Sequence, residues 1–157
     1  MPVFYRIIRD KYRHEPLSVE GSRLFGGRWN PKGTAVLYTT STPELGLVET
    51  LAHAPAVRYE ELPVYWVFSL SVPNDIRYYK RDELPDYWQD ETYERTQGWL
   101  KDWLLKPDCL GIAVPSVLVP LSCNVILHPA HPLFDQIQIV GQEAQPIDRR
   151  LWRLPDV

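Results

Sequence analysis

One stretch near the N-terminus combines residue types that could bind an anion and act on a sugar. Residues 17–33 read LSVEGSRLFGGRWNPKG, in which two adjacent glycines are followed directly by Arg28. Glycines let a backbone approach a ligand closely because they lack a Cβ atom. The guanidinium of arginine offers a rigid fork of donors that suits phosphate oxygens. Trp29 and Tyr38 add flat apolar faces and Glu49 adds a carboxylate, so this set favours a nucleotide site at which a sugar bond is broken.

A helix is required to position Glu49. The residues STPE at 41–44 predict its start, with Ser41 as N-cap, a proline in the first turn and a glutamate three residues after the cap. The helix is expected to run to about Ala54, because Pro55 follows.

The helical period places Glu49 beside the predicted core face. At 3.6 residues per turn, Leu45, Val48 and Ala52 form one apolar stripe, and Glu49 lies next to it. A carboxylate at such a position is costly to bury without compensation, so Glu49 is expected to open into a polar pocket or to pair with a base. The alternative is a helix-edge glutamate that reaches water. For His53, a hydrogen bond to Glu49 or to a backbone carbonyl is favoured over catalysis.

The remaining pattern predicts a compact α+β domain of short mixed strands with flanking helices, spanning residues 1–157 as a single domain. Residues 11–33 are expected to form a loop, and residues 85–106 one or two helices with Trp88, Trp99, Leu100, Trp103 and Leu104 on the buried side. Strands are predicted at residues 3–8, 35–39, 64–71 and 136–140. Short runs bounded by prolines follow at 111–114, 117–119 and 125–127, and a short terminal helix at 148–154.

Composition restricts the class of protein. The chain has 157 residues, 45% of them hydrophobic, which suits one globular domain. A formal charge of −3 argues against direct nucleic-acid binding, which usually needs a basic face. Two cysteines without metal-ligand spacing fit a reduced, cytoplasmic setting. The N-terminus lacks the apolar stretch of a signal peptide, and no segment is apolar over the length of a membrane span.

Several motifs together resemble one known family. They are Tyr5-Arg6 in the first strand, FGGRWN at 25–30, Tyr38 in AVLYTTS, Glu49 in ETLAH, VPS at 114–116 and NVILHPAHP at 124–132. With these motifs the chain resembles the RES domain family, toxins of bacterial toxin–antitoxin pairs that are named for Arg, Glu and Ser. The resemblance covers nearly the whole chain. Thr96-Gln97 loosely matches a family pair ahead of the second helix, and His128-Pro129 replaces the Asn-Pro of many relatives.

The resemblance implies a fold similar to ADP-ribosyltransferase toxins and NAD as the substrate. It implies either cleavage of the nicotinamide–ribose bond by hydrolysis or phosphorolysis, which depletes cellular NAD, or transfer of ADP-ribose to a host protein. It also implies a cognate antitoxin with a helix-turn-helix DNA-binding part and a C-terminal part that blocks the toxin's pocket.

Breaking this bond passes through an oxocarbenium-like state. The reaction is helped by an anchor for the diphosphate, a surface that holds the nicotinamide ring and a negative charge near the ribose. Arg28, and secondly Arg6, are expected to anchor the diphosphate. Tyr38 is expected to stack on nicotinamide, and Glu49 to stabilise the charge that develops on the ribose. Ser116 is expected to fix Glu49 or to touch the ligand rather than act as a nucleophile. The structural alternatives are a salt bridge at the sheet edge for Arg6, a core position for Tyr38 and for Trp29, and a turn for Ser116.

Two other functions compete with this hypothesis. A metal enzyme would use Glu49 and His53 at helical spacing or His128 and His131, but the density of ligands is poor for zinc, and no metal is expected. A non-catalytic partner-binding domain would leave NAD untouched. The chain also lacks the G-x-G-x-x-G dinucleotide fingerprint, so binding is expected to depend on arginine side chains and a loop.

Overall fold

A mixed sheet forms the centre of the protein in the computed structural model, which describes residues 1–153. Its strands, in chain order, are β1 (Val3–Arg9), β2 (Leu37–Thr40), β3 (Tyr65–Ser71), β4 (Ile76–Tyr78), β5 (Gly111–Pro115), β6 (Cys123–Leu127) and β7 (Gln138–Gln145). They lie in the order β4-β5-β6-β2-β1-β3-β7. The β4–β5 pair is parallel and the other neighbours are antiparallel.

Short helices flank the sheet. The α-helices are α1 (Glu20–Phe25), α2 (Pro43–His53), α3 (Glu94–Trp99) and α4 (Lys101–Leu105), and 3₁₀ turns lie at Asp10–Tyr12, Tyr59–Glu61, Arg81–Glu83, Pro132–Gln136 and Arg149–Leu151. The predicted α+β class of short mixed strands with flanking helices is therefore confirmed. No helix within residues 1–153 combines the length and the apolar character that a membrane crossing requires.

Both faces of the sheet are buried around β5 and β6, where successive strand residues alternate between two apolar clusters. Ile112, Val114 and Ile126 face the helical segment, whereas Ala113 and Val125 face the other way. The first cluster includes Trp88, Leu100, Trp103 and Leu104, which the sequence predicted to be buried, with Trp99 half-buried against it.

Several predicted boundaries were wrong. Residues 11–33 are not all loop, because α1 forms within them. The last strand begins at Gln138 and continues to Gln145, and β4, only three residues long, was missed. Residues 117–119 form no strand. The predicted terminal helix is a 3₁₀ turn at Arg149–Leu151, and its predicted last residue lies outside the described residues.

The start and orientation of α2 also differ from the prediction. The N-cap is Thr42, whose hydroxyl accepts a hydrogen bond from the Leu45 amide at 3.2 Å. Ser41 is unavailable as a cap because its hydroxyl binds the amide of Cys123 on β6. Val48, expected in the core, is 41% exposed.

The buried positions of α2 are Leu45 and Gly46, while Ala52, like Val48, is exposed. A Cβ atom on Gly46 would lie 3.1 Å from Thr40 Oγ1 and 3.3 Å from Ile7 Cδ1. The helix therefore packs on β1 and β2 through a glycine. Because glycine has no side chain, the apolar pattern of the sequence does not indicate this contact. The predicted buried face of α2 therefore differs from the observed one by a rotation about the helix axis.

The ladder between β1 and β2 is unusually short. These strands share only the pair Tyr5↔Thr40, whereas β1 pairs with β3 along its whole length. An antiparallel ladder that continued from this pair would join residues 6 and 7 of β1 to residues 39 and 38 of β2. That continuation is missing, and a space is left between the two strands.

Replacement of Gly46 tests the packing of α2. We expect Gly46→Val to lower the free energy of unfolding by about 1–3 kcal/mol, because added methyl groups overpack a close contact. Gly98→Val is the matched control, since Gly98 is also helical and has nothing near its missing Cβ. Urea denaturation measures both variants, and an equal effect of the two substitutions would contradict the close contact.

Candidate functional site

A cavity of about 580 Å³ opens where β1 and β2 separate. Residues 5–7 of β1 and 38–40 of β2 line it, together with residues 26–29 and the inner side of α2. Arg6, Arg28, Tyr38 and Glu49, all predicted as site residues, share this cavity. A second cavity, of about 390 Å³, lies between residues 59–65 and 144–147 and contains none of them.

Neutral donors hold the carboxylate of Glu49. Its Oε1 accepts hydrogen bonds from Ser116 Oγ at 2.8 Å and from Asn124 Nδ2 at 3.1 Å. Its side chain is 22% exposed, so it is mostly sheltered and yet reaches the cavity. The predicted polar pocket is present around Glu49, and the compensation comes from hydrogen bonds.

His53 lies one helical turn beyond Glu49. Its Nδ1 is 2.8 Å from the backbone carbonyl oxygen of Glu49 and 3.9 Å from Oε2. The side chain is 66% exposed. This contact is the carbonyl hydrogen bond that the sequence favoured for His53.

Ser116 is fully buried immediately after β5. Its Oγ accepts hydrogen bonds from the amides of Leu118 and Val119 at 3.1 and 3.2 Å. Because these bonds occupy the oxygen's lone pairs, the hydroxyl proton is directed at Glu49. This hydrogen bond agrees with a role in fixing Glu49, one of the two roles expected for Ser116, and that role stays a prediction.

Arg28 is oriented by backbone carbonyls and an aromatic ring. Its Nη1 donates to the carbonyl oxygens of Trp88 at 3.1 Å and Asp90 at 2.6 Å, and its guanidinium carbon lies 4.7 Å from the centre of the Tyr93 ring. Within residues 1–153 no carboxylate forms an ion pair with Arg28. Its positive charge is thus oriented but not neutralised.

The backbone that carries Arg28 is fastened by α3. Thr96 Oγ1 donates to the Arg28 carbonyl oxygen at 2.6 Å, and Gln97 Nε2 donates to the Gly27 carbonyl oxygen at 2.9 Å. The Thr96-Gln97 pair, noted in the sequence without a role, is therefore what holds this loop.

The two adjacent glycines are required by the protein's own packing. Gly26 has φ +69°, a left-handed conformation that favours glycine. A Cβ atom on Gly27 would lie 2.8 Å from the hydroxyl oxygen of Tyr38. The sequence predicted that these glycines let the backbone approach a ligand. In the structure, Gly27 closely approaches the side chain of Tyr38.

Arg6 reaches across the gap between β1 and β2. Its Nη1 donates to the Tyr38 carbonyl oxygen at 3.0 Å and its Nη2 to the Ser18 carbonyl oxygen at 3.3 Å, while its buried Nε has no hydrogen-bond partner among the described residues. Burial lowers the pKa of Arg6 to about 10, so the guanidinium remains charged at neutral pH. The alternative of an edge salt bridge is wrong, since β1 is an interior strand and no carboxylate within residues 1–153 pairs with Arg6.

Tyr38 lines the cavity, packs against the first apolar cluster and has its hydroxyl engaged by neighbouring residues. The hydroxyl donates to Asn30 Oδ1 at 2.6 Å and accepts from the Trp29 amide at 3.2 Å. Burial raises the pKa of Tyr38, which keeps the phenol neutral. Trp29 is buried against Trp99, as its expected core position requires.

Comparison with known proteins supplies the family. The family model of the RES domain matches residues 3–153. The chain belongs to the RES domain family.

Relatives of this RES domain carry toxin names. It is 32% identical over 152 residues to a Toxin Res of Photorhabdus laumondii, which covers 95% of this chain and 96% of the relative. It is 31% identical over 134 residues to a Toxin Res of Yersinia enterocolitica, with 84% and 87% covered. The Prs ADP-ribosylating toxin of a Sphingobium species is 31% identical over 137 residues, with 82% and 83% covered.

A solved structure shares the fold of this RES domain. A chain of the crystal structure of the M. tuberculosis MbcT–MbcA toxin–antitoxin complex matches it with a TM-score of 0.71 and 20% identity, over 92% of this chain and 84% of that one. At this level of identity the similarity concerns the fold.

Structural partners also hold His128 and His131, the second pair considered as metal ligands, in this RES domain. His128 Nε2 is 2.9 Å from the Leu104 carbonyl oxygen and its Nδ1 accepts from the Ala130 amide at 3.1 Å. Burial lowers the pKa of His128, which favours the neutral ring. His131 Nδ1 accepts from the Leu133 amide. Within residues 1–153 no cluster of three or more His, Cys, Asp or Glu side chains could hold a metal.

Sequence reasoning missed one residue at the centre of this RES domain's site. Asn124 lines the cavity and donates to Glu49, yet the sequence indicated it only as the first letter of a family motif. Its spacing from Glu49 along the chain gives no signal, because the packing of α2 on the sheet and the pairing of β2 with β6 bring the two together.

Proposed function

We propose that this protein is the toxin of a toxin–antitoxin pair and that it cleaves the nicotinamide–ribose bond of NAD. The observation that carries this proposal is one cavity with two unneutralised arginines, Arg6 and Arg28, and a carboxylate, Glu49. NAD combines an anionic diphosphate with a ribose that becomes cationic as nicotinamide leaves. Both charges meet their opposite in this cavity.

The arginines supply the binding energy that holds the sugar. Arg28 keeps Nε and Nη2 free of hydrogen bonds among the described residues, because Nη1 makes the two carbonyl contacts. Arg6 is a buried cation whose Nε lacks an acceptor. A diphosphate oxygen would accept hydrogen bonds from the free guanidinium N–H groups and offset their charge. The absence of protein acceptors at these groups therefore favours anion binding.

Glu49 provides the negative charge near the reacting carbon. Departure of nicotinamide leaves positive charge on the anomeric carbon and ring oxygen of the ribose. A carboxylate that is already oriented stabilises this charge without reorganising during the reaction. The Tyr38 ring, fixed through its hydroxyl, offers a flat face on which nicotinamide stacks.

The acceptor of the ADP-ribose group distinguishes three reactions. Water gives a glycohydrolase, phosphate a phosphorylase and a protein side chain an ADP-ribosyltransferase. The name of the Sphingobium relative, an ADP-ribosylating toxin, supports transfer to a protein as the second candidate. A non-catalytic partner-binding domain would explain neither the unpaired arginines nor the oriented carboxylate.

The proposed partner is a cognate antitoxin, of the helix-turn-helix type that the family resemblance implies. The structural relative comes from a toxin–antitoxin complex, which supports a protein partner for this chain. Such a partner would act in the cytoplasm, where NAD is available, by closing the cavity.

Removal of the Glu49 charge tests the proposed chemistry. We expect Glu49→Gln to reduce NAD cleavage by at least 100-fold, because the isosteric amide keeps the packing and loses the charge. Glu44→Gln, on the exposed side of the same helix, is the control and should retain activity. Following NAD consumption by purified protein measures both, and full activity of folded Glu49→Gln would refute the role of Glu49.

Removal of Arg28 tests the anchor. Arg28→Ala should raise the Michaelis constant for NAD about 10-fold or more, since a charge-assisted phosphate contact is lost. Arg23→Ala removes an exposed arginine that pairs with Glu20 and should leave kinetics unchanged. Steady-state kinetics compare the two variants, and an unaltered Michaelis constant and turnover for Arg28→Ala would exclude the anchor.

The reaction products identify the acceptor. We expect NAD incubated with the protein to yield free nicotinamide together with ADP-ribose, or with its phosphate ester when inorganic phosphate is added. Mass spectrometry of incubations with and without phosphate measures both products. A product that appears only with cell extract and remains attached to protein would instead establish ADP-ribosyl transfer.

A further inference from the structure

We infer that Asn124 is a positioning residue for Glu49. Together with Ser116 it fixes Oε1 of the carboxylate, so that Oε2 is the oxygen that meets the ribose. This inference deepens the proposed function and rests on it, and it assigns a role to a side chain that acts only through Glu49.

Asn124 is itself held rigidly. It lies on β6 with Thr40 of β2 opposite it on one side and Val114 of β5 on the other. A residue between two paired strands has little backbone freedom, and sites built on such elements are more precise than sites on loops. The side chain lines the cavity and its Nδ2 lies 3.1 Å from Glu49 Oε1.

Both neutral donors converge on the same oxygen. Ser116 Oγ, which follows β5, lies 2.8 Å from Oε1, and Asn124 Nδ2 approaches Oε1 from β6. A carboxylate oxygen only accepts hydrogen bonds, so the amide must present its nitrogen to Glu49. Two donors from adjacent strands thereby occupy the lone pairs of Oε1 and stop rotation of the carboxylate.

The other oxygen is left for the ligand. Oε2 lies 3.9 Å from His53 Nδ1, beyond hydrogen-bonding distance, and that nitrogen already contacts the Glu49 carbonyl oxygen. No hydrogen bond among residues 1–153 ends on Oε2. The acceptor capacity of Oε2 is thus available to a ligand in the cavity that Glu49 lines, such as a ribose hydroxyl or the developing cation.

This arrangement separates orientation from binding. Asn124 is neutral, so its removal leaves the charges of Glu49, Arg6 and Arg28 unchanged. Removal of Asn124 changes only the direction in which the Glu49 carboxylate points. Such a change matters because misplacing a reacting group by about 1 Å can reduce the rate about 100-fold. Loss of Asn124 should therefore lower turnover and leave NAD binding nearly intact.

Kinetics of Asn124 variants test the inference. We expect Asn124→Ala to lower kcat about 10–100-fold with little change in the Michaelis constant. Asn124→Asp has the same shape but turns an acceptor toward Oε1, so its kcat should fall at least as far. Asn74→Ala, which alters an exposed asparagine, is the matched control. An unchanged kcat in Asn124→Ala, or equal losses in kcat and in NAD binding, would overturn the inference.

A structural measurement keeps the inference testable if the wild-type protein does not consume NAD, in which case the proposed function fails. Crystal structures of the wild type and Asn124→Ala should show the Glu49 carboxylate turned from its wild-type direction in the variant, because one of the two donors that hold Oε1 is removed. An unmoved Glu49 would overturn the positioning role. A displaced Glu49 supports that role independently of the reaction.

Discussion

The ladder between β1 and β2 ends after one pair, and the cavity exists because it ends there. Strand pairing normally satisfies backbone groups along the whole of both strands. Here the Tyr38 carbonyl oxygen, which a continued ladder would pair with β1, accepts instead from the Arg6 guanidinium. A side chain replaces a backbone partner, and the space between the strands becomes available to a ligand. The loop with Arg28 and the helix with Glu49 each add one wall to it.

The charged side chains around this opening are held by neutral groups and keep their charges. Two guanidinium groups are held by carbonyl oxygens, which orient them but do not cancel their charge. The carboxylate is held by a hydroxyl and an amide, which likewise leave its charge intact. Buried or half-buried ions usually pair with one another. Their separate neutral partners explain how cations and an anion share one cavity without collapsing into a salt bridge.

The sequence predicted the α+β class and most of the strands, because apolar runs between prolines and glycines are strong local signals. It also indicated Arg6, Arg28, Tyr38 and Glu49, which line one cavity. The predictions were wrong or incomplete where the decisive contact joins residues far apart in the sequence. Ser41 is diverted from capping α2 by the Cys123 amide, and the rotation of α2 depends on Gly46, which has no side chain to detect. Asn124 and Thr96 act on residues 75 and 68 positions away, so no local pattern reveals them.

Different parts of the chain fasten the two walls of the cavity. The loop that carries Arg28 is hydrogen-bonded to α3 through Thr96 and Gln97. Glu49 on α2 is hydrogen-bonded instead to Ser116, after β5, and to Asn124 on β6. Substitutions in one set of ties do not touch the other. For the proposed reaction, substrate affinity and turnover could consequently change independently during evolution, because a substitution that loosens Arg28 need not disturb Glu49.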